Sequence, residues 1–279
     1  METLNNHDIL CLQETLCGPG DGPADHLTQF ASIPHCRKIS SNNRHFGGML
    51  LLIRKTIRKG VKVRSVSDKD ILGISLDKDF FGLPNNITVW FVYAPPISSP
   101  YTASRDEVLL SLQKKMTDST HPIILGDLNG KTNTVPDTVD DAEDAHSPIN
   151  DITTYSRDKF IPRHNQDENK MDKQGSAIIE MCKSNNLRIL NGRMPGDRWG
   201  SLTRFPINRL ESPSVLDYCI SHTEVMKNID SFKVHPISDL SDHCCISFLL
   251  LTNIKLSEGP PQMEDGMTPL HHHFSTGCS

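Results

Sequence analysis

The sequence predicts an α+β fold. Three observations carry that expectation. Short apolar runs of strand length come in clusters, near residues 7–12, 46–53, 62–76 and 87–93, and again between 187 and 251. Only two longer stretches, after Ser104 and after Gln174, have the apolar spacing of a helix that covers a sheet. The strands therefore do not alternate with helices one by one, as a wholly parallel α/β sheet requires. No apolar run approaches the roughly 20 residues that span a membrane, and no internal repeat is visible.

In chain order, His7–Leu12 reads as a buried strand with Gln13-Glu14-Thr15 as its polar exit, followed by a Gly/Pro loop over 17–23. Phe46–Ile53 is a second strand. Lys62–Val66 and Ile71–Leu76 form a pair. Ile87–Tyr93 alternates β-branched and aromatic residues and stops at Pro95-Pro96. Ser104-x-x-Glu107 is a capping box for a helix to Met116, with Leu109, Leu112 and Met116 as its apolar stripe. Next comes the run His121-Pro-Ile-Ile-Leu-Gly-Asp-Leu-Asn-Gly-Lys131, a short buried strand ending in Gly-Asp-x-Asn. Residues 131–172 form a long polar loop without periodicity. Gln174–Ser184 is a helix and Leu187–Leu190 a strand. Arg198–Phe205 and Ser214–Ile220 form a strand pair, Glu224–Ile229 a short helix, and Ser231–Val234 and Cys245–Leu251 the last strands. One domain over residues 1–254 is expected, with a disordered Gly/Pro-rich tail at 255–279. His271-His272-His273 falls in that tail as a loose surface tract.

The net charge of −5 is unevenly spread. Six acids and no Lys or Arg lie between Thr132 and Asp151, and three more acids lie between Leu256 and Ser279. Without them the balance of the remaining chain turns positive, so the total does not exclude a nucleic-acid partner. Repulsion of phosphate by the acidic loop predicts that it is mobile and stands away from any DNA surface. The basic run Arg54-Lys55-x-x-Arg58-Lys59, with Lys62 and Arg64, is either a phosphate contact or a solvated face. The eight cysteines include no CxxC pair or other zinc spacing. Free thiols fit a reducing compartment, so an intracellular protein is expected, nuclear if it acts on genomic DNA.

Chemistry concentrates at strand exits. Residues two apart on an extended segment share a face, so Asp127 and Asn129 present a carboxylate and an amide side by side. The pair can orient a water and take its proton, or close an Asx turn. Gly126 and Gly130 let the backbone bend around it. Glu14, at the end of a buried strand, needs a partner or a hard cation such as Mg²⁺. Tyr93 at its strand exit can donate to a phosphate oxygen or pack on the prolines. Asp217 lies in the apolar run Ser214-Val-Leu-Asp-Tyr218 and needs a partner; Ser241-Asp242-His243 supplies a His just ahead of another apolar run. Together these groups are the equipment of metal-assisted phosphodiester hydrolysis.

Leu12-Gln-Glu14, Tyr93, Gly126-Asp127-Leu-Asn129, Leu216-Asp217-Tyr218 and Ser241-Asp242-His243 resemble, in type and order, the endonuclease/exonuclease/phosphatase superfamily. That group includes pancreatic DNase I, exonuclease III and the abasic-site endonucleases. Phe46-Gly-Gly-Met, Leu187-Arg-Ile-Leu-Asn-Gly-Arg193, Gly196-Asp197 and Ser201-Leu-Thr203-Arg-Phe look more narrowly like the endonuclease domain of LINE-type retrotransposons. The resemblance implies a four-layer α/β/β/α sandwich of the DNase I-like kind and a DNA-nicking, Mg²⁺-dependent (or Mn²⁺-dependent) endonuclease. It implies metal binding by Glu14 with Asp242 beside the metal and water. Asp127 and Asn129 would handle the water, His243 with Asp217 the scissile phosphate, and Tyr93 and Thr203 the phosphate oxygens. Members of the group begin with a strand carrying an Asn near the metal, followed by a helix. Met1 aligns within that helix, so the first strand is expected to be missing. Two alternatives share the fold: a catalytically impaired relic or domesticated binding module, and a phosphoinositide phosphatase. The latter resemble one another in a Pro-x-Trp-x-Asp-Arg motif where this chain has Ser214-Val-Leu-Asp-Tyr.

Overall fold

The computed structural model describes residues 6–16, 26–36, 47–67, 70–96, 99, 105–119, 121–139, 162–208, 210–254 and 270–278. In chain order its strands are β1 (Ile9–Gln13), β2 (Phe30–His35), β3 (Met49–Arg54), β4 (Val61–Ser67), β5 (Ile71–Leu76), β6 (Ile87–Val92), β7 (Pro122–Asp127), β8 (Leu187–Ile189), β9 (Asp217–His222), β10 (Ile229–Val234), β11 (Ile246–Thr252) and β12 (Leu270–Cys278). Its helices are α1 (Lys78–Phe81), α2 (Arg105–Thr117), α3 (Lys173–Ser184) and α4 (Thr223–Met226). The strands form two six-stranded sheets. Sheet A has the order β10-β11-β12-β1-β3-β2, and sheet B the order β4-β5-β6-β7-β9-β8. No helix among the described residues is long and apolar enough to cross a membrane.

The two sheets face one another across the main core. Ile9, Cys11, Leu51, Ile53, Phe232 and Phe248 of sheet A meet Leu72, Ile74, Val89, Phe91, Ile123 and Leu125 of sheet B. The period of two along each strand sends the intervening residues the other way. Trp90, Val92, Ile124 and Ile220 thus cover the outer side of sheet B, where Val108, Leu112 and Met116 of α2 and Ile178, Met181 and Cys182 of α3 pack on them. With both faces covered, β5, β6 and β7 are buried at every position, which is why they read as continuous apolar runs rather than alternating ones. Each large side chain so buried contributes about 1.5–3 kcal/mol. A smaller cluster, Leu10, Phe30, Leu50 and Leu52, lies on the outer side of sheet A.

Five sequence expectations change. The tail is not disordered throughout, because Leu270–Cys278 forms β12. This strand sits inside sheet A, antiparallel to β11 and parallel to β1. Its backbone finds ladders on both sides, a gain invisible to the average composition of a Gly/Pro-rich tail; residues 255–269 lie outside the described ones. Strand β2 was not expected; it contains Pro34, which an edge strand tolerates. The expected pair over 198–205 and 214–220 shrinks to a bridge between Arg204 and Ser214, with β9 beginning only at Asp217. The acidic loop is anchored at its start: Asp137 is buried, accepts from Ile189 N at 2.8 Å and pairs with Arg193 at 2.7 Å. Positions 140–151 of that loop, and Ser104 of the capping box, lie outside the described residues. The basic run is partly spent on structure, since Arg54 pairs with Asp8 at 3.2 Å.

Candidate active site

Strands β7 and β9 run antiparallel with Asp127 opposite Asp217 at their ends. Gly126 has φ +144°, and a Cβ there would come within 2.1 Å of Val92 O, so β7 can approach β6 this closely only with glycine. Beyond the strand, Asn129 adopts φ +47° and folds back on Asp127. Its main-chain N donates to Asp127 Oδ1 at 2.8 Å and its Nδ2 to Asp127 Oδ2 at 2.7 Å and Ala94 O at 2.8 Å. The Asx turn and the carboxylate–amide pair are thus the same object. Burial pushes the Asp127 carboxyl well above the usual range, and the charges of Asp217 and Glu14 add to the rise; His243 and the Asn129 N–H pull against it.

Asp217 receives His243. Nδ1 of the ring lies 2.8 Å from Asp217 Oδ2, with side chains 10% and 4% exposed. Burial by itself would strip the ring of its proton. The charge and hydrogen bond of Asp217, with Asp127 and Asp242 behind it, outweigh burial and leave the His243 pKa pushed up to about 10. The ring is therefore protonated at neutral pH, with Nδ1–H donating to Asp217 and Nε2–H available. The backbone of Asp217 is clamped as well. Thr203 Oγ1 accepts from Leu216 N and Asp217 N, each at 3.0 Å, and Asn191 Nδ2 donates to Asp217 O at 3.0 Å.

Glu14 comes from the other sheet. It follows β1 in the left-handed region, at φ +54°, and the Tyr93 hydroxyl donates to its Oε1. Gln13 stitches the two sheets together at the same point: its Nε2 donates to Val92 O at 2.8 Å and its Oε1 accepts from Asp127 N at 3.3 Å. Asp242 turns one oxygen to Arg204, Nε to Oδ2 at 3.1 Å, and Arg204 also reaches Glu211 at 2.9 Å.

Glu14, Asp127, Asn129, Asp217, Asp242 and His243 accordingly gather at one mouth. Two expected phosphate contacts change. Thr203 is fully buried with its oxygen accepting two N–H groups, so it holds the Asp217 backbone and does not reach a phosphate. The Tyr93 hydroxyl is engaged with Glu14. Gln13, Asn191 and Arg204 were given no role from sequence. Gln13 was the most legible of the three, as a polar side chain at the last position of a buried strand.

The donor set fits a hard divalent cation. Four carboxylates crowd the mouth, and Asp127 is driven toward its neutral form by burial and by its neighbours' negative charge. A cation would relieve that excess, and carboxylate oxygens favour Mg²⁺-like ions over zinc. The Asp127, Asp217 and His243 ligand atoms also lie within 4.8 Å of one another. A protonated His243 has no lone pair to offer, however, so that trio is a hydrogen-bonded group unless the ring loses its proton.

The sequence profile described as the Endonuclease/Exonuclease/phosphatase family matches residues 1–243. No curated protein matches significantly. Among solved structures, the fold is similar to an AP endonuclease, LMAP, from Leishmania major, with TM-score 0.55 and 16% identity over 85% of this chain and 76% of that one. It is similar to a 3′ phosphatase, NExo, from Neisseria bound to a product DNA hairpin, with TM-score 0.52 and 13% identity over 85% and 86%. It is also similar to the endonuclease domain of TRAS1, a telomere-specific non-LTR retrotransposon, with TM-score 0.50 and 14% identity over 92% and 90%. At such identities these likenesses show a shared DNase I-like fold.

Proposed function

Because the chain belongs to the endonuclease/exonuclease/phosphatase family, whose members hydrolyse phosphate esters, we propose that it is a Mg²⁺-dependent endonuclease of retroelement origin that nicks DNA. The observation that carries this reading is the His243–Asp217 pair, in contact at 2.8 Å, set beside the buried Asp127–Asn129 pair. Asp127, oriented by Asn129, accepts a proton from the attacking water, and the Asn129 amide fixes the water's direction. His243 stabilises the charge that develops on the five-coordinate phosphorus, with Asp217 holding the ring in register. Mg²⁺, or Mn²⁺, held by Glu14 with the free oxygen of Asp242 alongside, would polarise a phosphate oxygen and favour the ionised form of Asp127. Tyr93 holds Glu14 in place. Retroelement origin is supported by the Leu187–Arg193, Gly196-Asp197 and Ser201–Phe205 stretches and by the TRAS1 likeness.

The test is conversion of supercoiled plasmid to open circle. Nicking in Mg²⁺ that stops in EDTA and in Asp127→Asn is expected. Retention of DNA binding with no nicking in either Mg²⁺ or Mn²⁺ would instead make the protein a binding module.

A further inference from the structure

A hollow of about 450 Å³ is lined by His164, Gly192, Arg193, Pro195, Arg198 and Trp199. We propose that this hollow receives an unstacked nucleobase of the nucleic-acid strand whose phosphate lies in the candidate active site. The proposal rests on DNA being the substrate.

Trp199 is 67% exposed, an unusual place for the largest apolar side chain. Its ring touches that of His164, centroids 5.1 Å apart and tilted by 50°, so two aromatic side chains meet as adjoining walls of the hollow. Such walls bind bases through their faces without regard to sequence. Arg198 is exposed and makes no ion pair among the described residues. Arg193 is pinned by Asp137 at 2.7 Å, its side chain only 5% exposed, and its Nε has no hydrogen-bond partner among the described residues. The hollow thus offers aromatic faces, one open cation and one unmet buried N–H, a match for a base with its phosphate.

The walls are rigid. Gly192 has φ +78°, and a Cβ there would come within 1.8 Å of His164 O. His164 N donates to Gly192 O and Gln166 N to Gly200 O, each at 2.9 Å. Asp197 closes the turn, accepting from Ser201 N at 2.8 Å and Gly192 N at 3.3 Å. The same segment braces the site: Asn191 and Thr203, which hold the Asp217 backbone, stand on either side of it in the chain. Gly192 of the hollow directly follows Asn191, whose side chain bonds the carbonyl of Asp217, the partner of His243.

The experiment titrates the full chain carrying Trp90→Phe with short oligodeoxythymidylate in EDTA, following fluorescence. Trp199 is then the sole indole emitter when excitation is set at the red edge of the absorption band, beyond the four tyrosines, as the chain has two tryptophans. Saturable quenching is expected. Trp199→Ala should weaken binding of a labelled oligonucleotide roughly five- to a hundredfold, the range of base–aromatic stacking, while Trp199→Phe should keep most of the affinity. Equal affinity of Trp199→Ala and wild type, absence of quenching, or equal quenching by tripolyphosphate or an acidic peptide would each overturn the proposal. Plasmid nicking separates the two readings. Quenching without nicking would sink the nuclease and keep the base site. Nicking with a silent Trp199 would do the reverse.

Discussion

Asp217 and Glu14 are both acids at a strand end with a ring as partner, yet they are held in opposite ways. Asp217 begins β9 inside sheet B. Its N–H is fixed by Thr203, its carbonyl by Asn191 and its carboxylate by His243. Glu14 stands just past β1 in sheet A, half-buried, in a left-handed conformation that costs about 1–2 kcal/mol for a residue with a side chain. Strain of this kind persists where surroundings enforce it, and here the enforcement is the Gln13 stitch and the Tyr93 hydroxyl. One wall of the mouth is therefore prearranged for charge. The other is held under strain, and a cation bound at Glu14 would compensate it.

The largest expected effect falls on the prearranged wall. His243→Ala should lower nicking turnover by about 10²–10⁴-fold, the usual scale of positioned acid–base groups, with little change in DNA affinity. Asp217→Asn should do nearly as much, and the double variant little more than either, because the two act as one unit. Additive losses in single-turnover assays would show two independent residues.

Next comes the pH dependence of the same pair. Removing one partner of a buried ion pair costs about 3–5 kcal/mol. The pKa of His243 rises on folding from its ordinary 6.5 to about 10. The unfolded state thus binds fewer protons between these values, and stability falls as pH rises through them. In urea unfolding of metal-free protein, the advantage of wild type over His243→Gln should be full below about pH 6.5 and lost as pH passes about 10. An advantage that grows with pH would contradict the pairing.

Thr203→Val should cost about 1–3 kcal/mol, the penalty for two buried N–H groups left without an acceptor, with Thr203→Ser recovering most of it. An unchanged urea midpoint would free Thr203 for the phosphate contact first expected of it. The smallest effect on stability belongs to the strained wall. Glu14→Gln should leave the unfolding midpoint within about 0.5 kcal/mol of wild type while weakening Mg²⁺ or Mn²⁺ binding in calorimetry by about tenfold or more. Equal affinities would remove Glu14 as the main ligand and erase the contrast between the walls.

Much of this was legible in the sequence. Strands buried on both faces announce themselves as apolar runs, and a polar residue at the end of such a run is conspicuous; Glu14, Asp127 and Asp217 were found that way. The His243–Asp217 contact was legible because a carboxylate inside an apolar strand needs a partner. The roles of Thr203 and Asn191 were not, since a side chain that bonds backbone amides 13 or more residues away leaves no pattern. Arg204 was hidden for the same reason, its partners being set by a bridge to His243. Strand β12 was hidden by averaging: nine residues able to form a ladder were diluted by the Gly/Pro stretch before them.

That strand also sets the order in which the molecule can assemble. Hairpins β4–β5 and β5–β6 join neighbours in the chain, whereas Ile9 meets Phe274 across nearly its whole length. Closing so long a loop adds little to the equilibrium cost, about 0.6 kcal/mol per doubling of length, but it delays the encounter, because distant contacts are made late. In pulse-labelling hydrogen exchange, amides of sheet B should gain protection first and those of β1 and β11 last. Until then two strand edges at the centre of sheet A face solvent unpaired, and the slowest step of folding is also the one most open to aggregation.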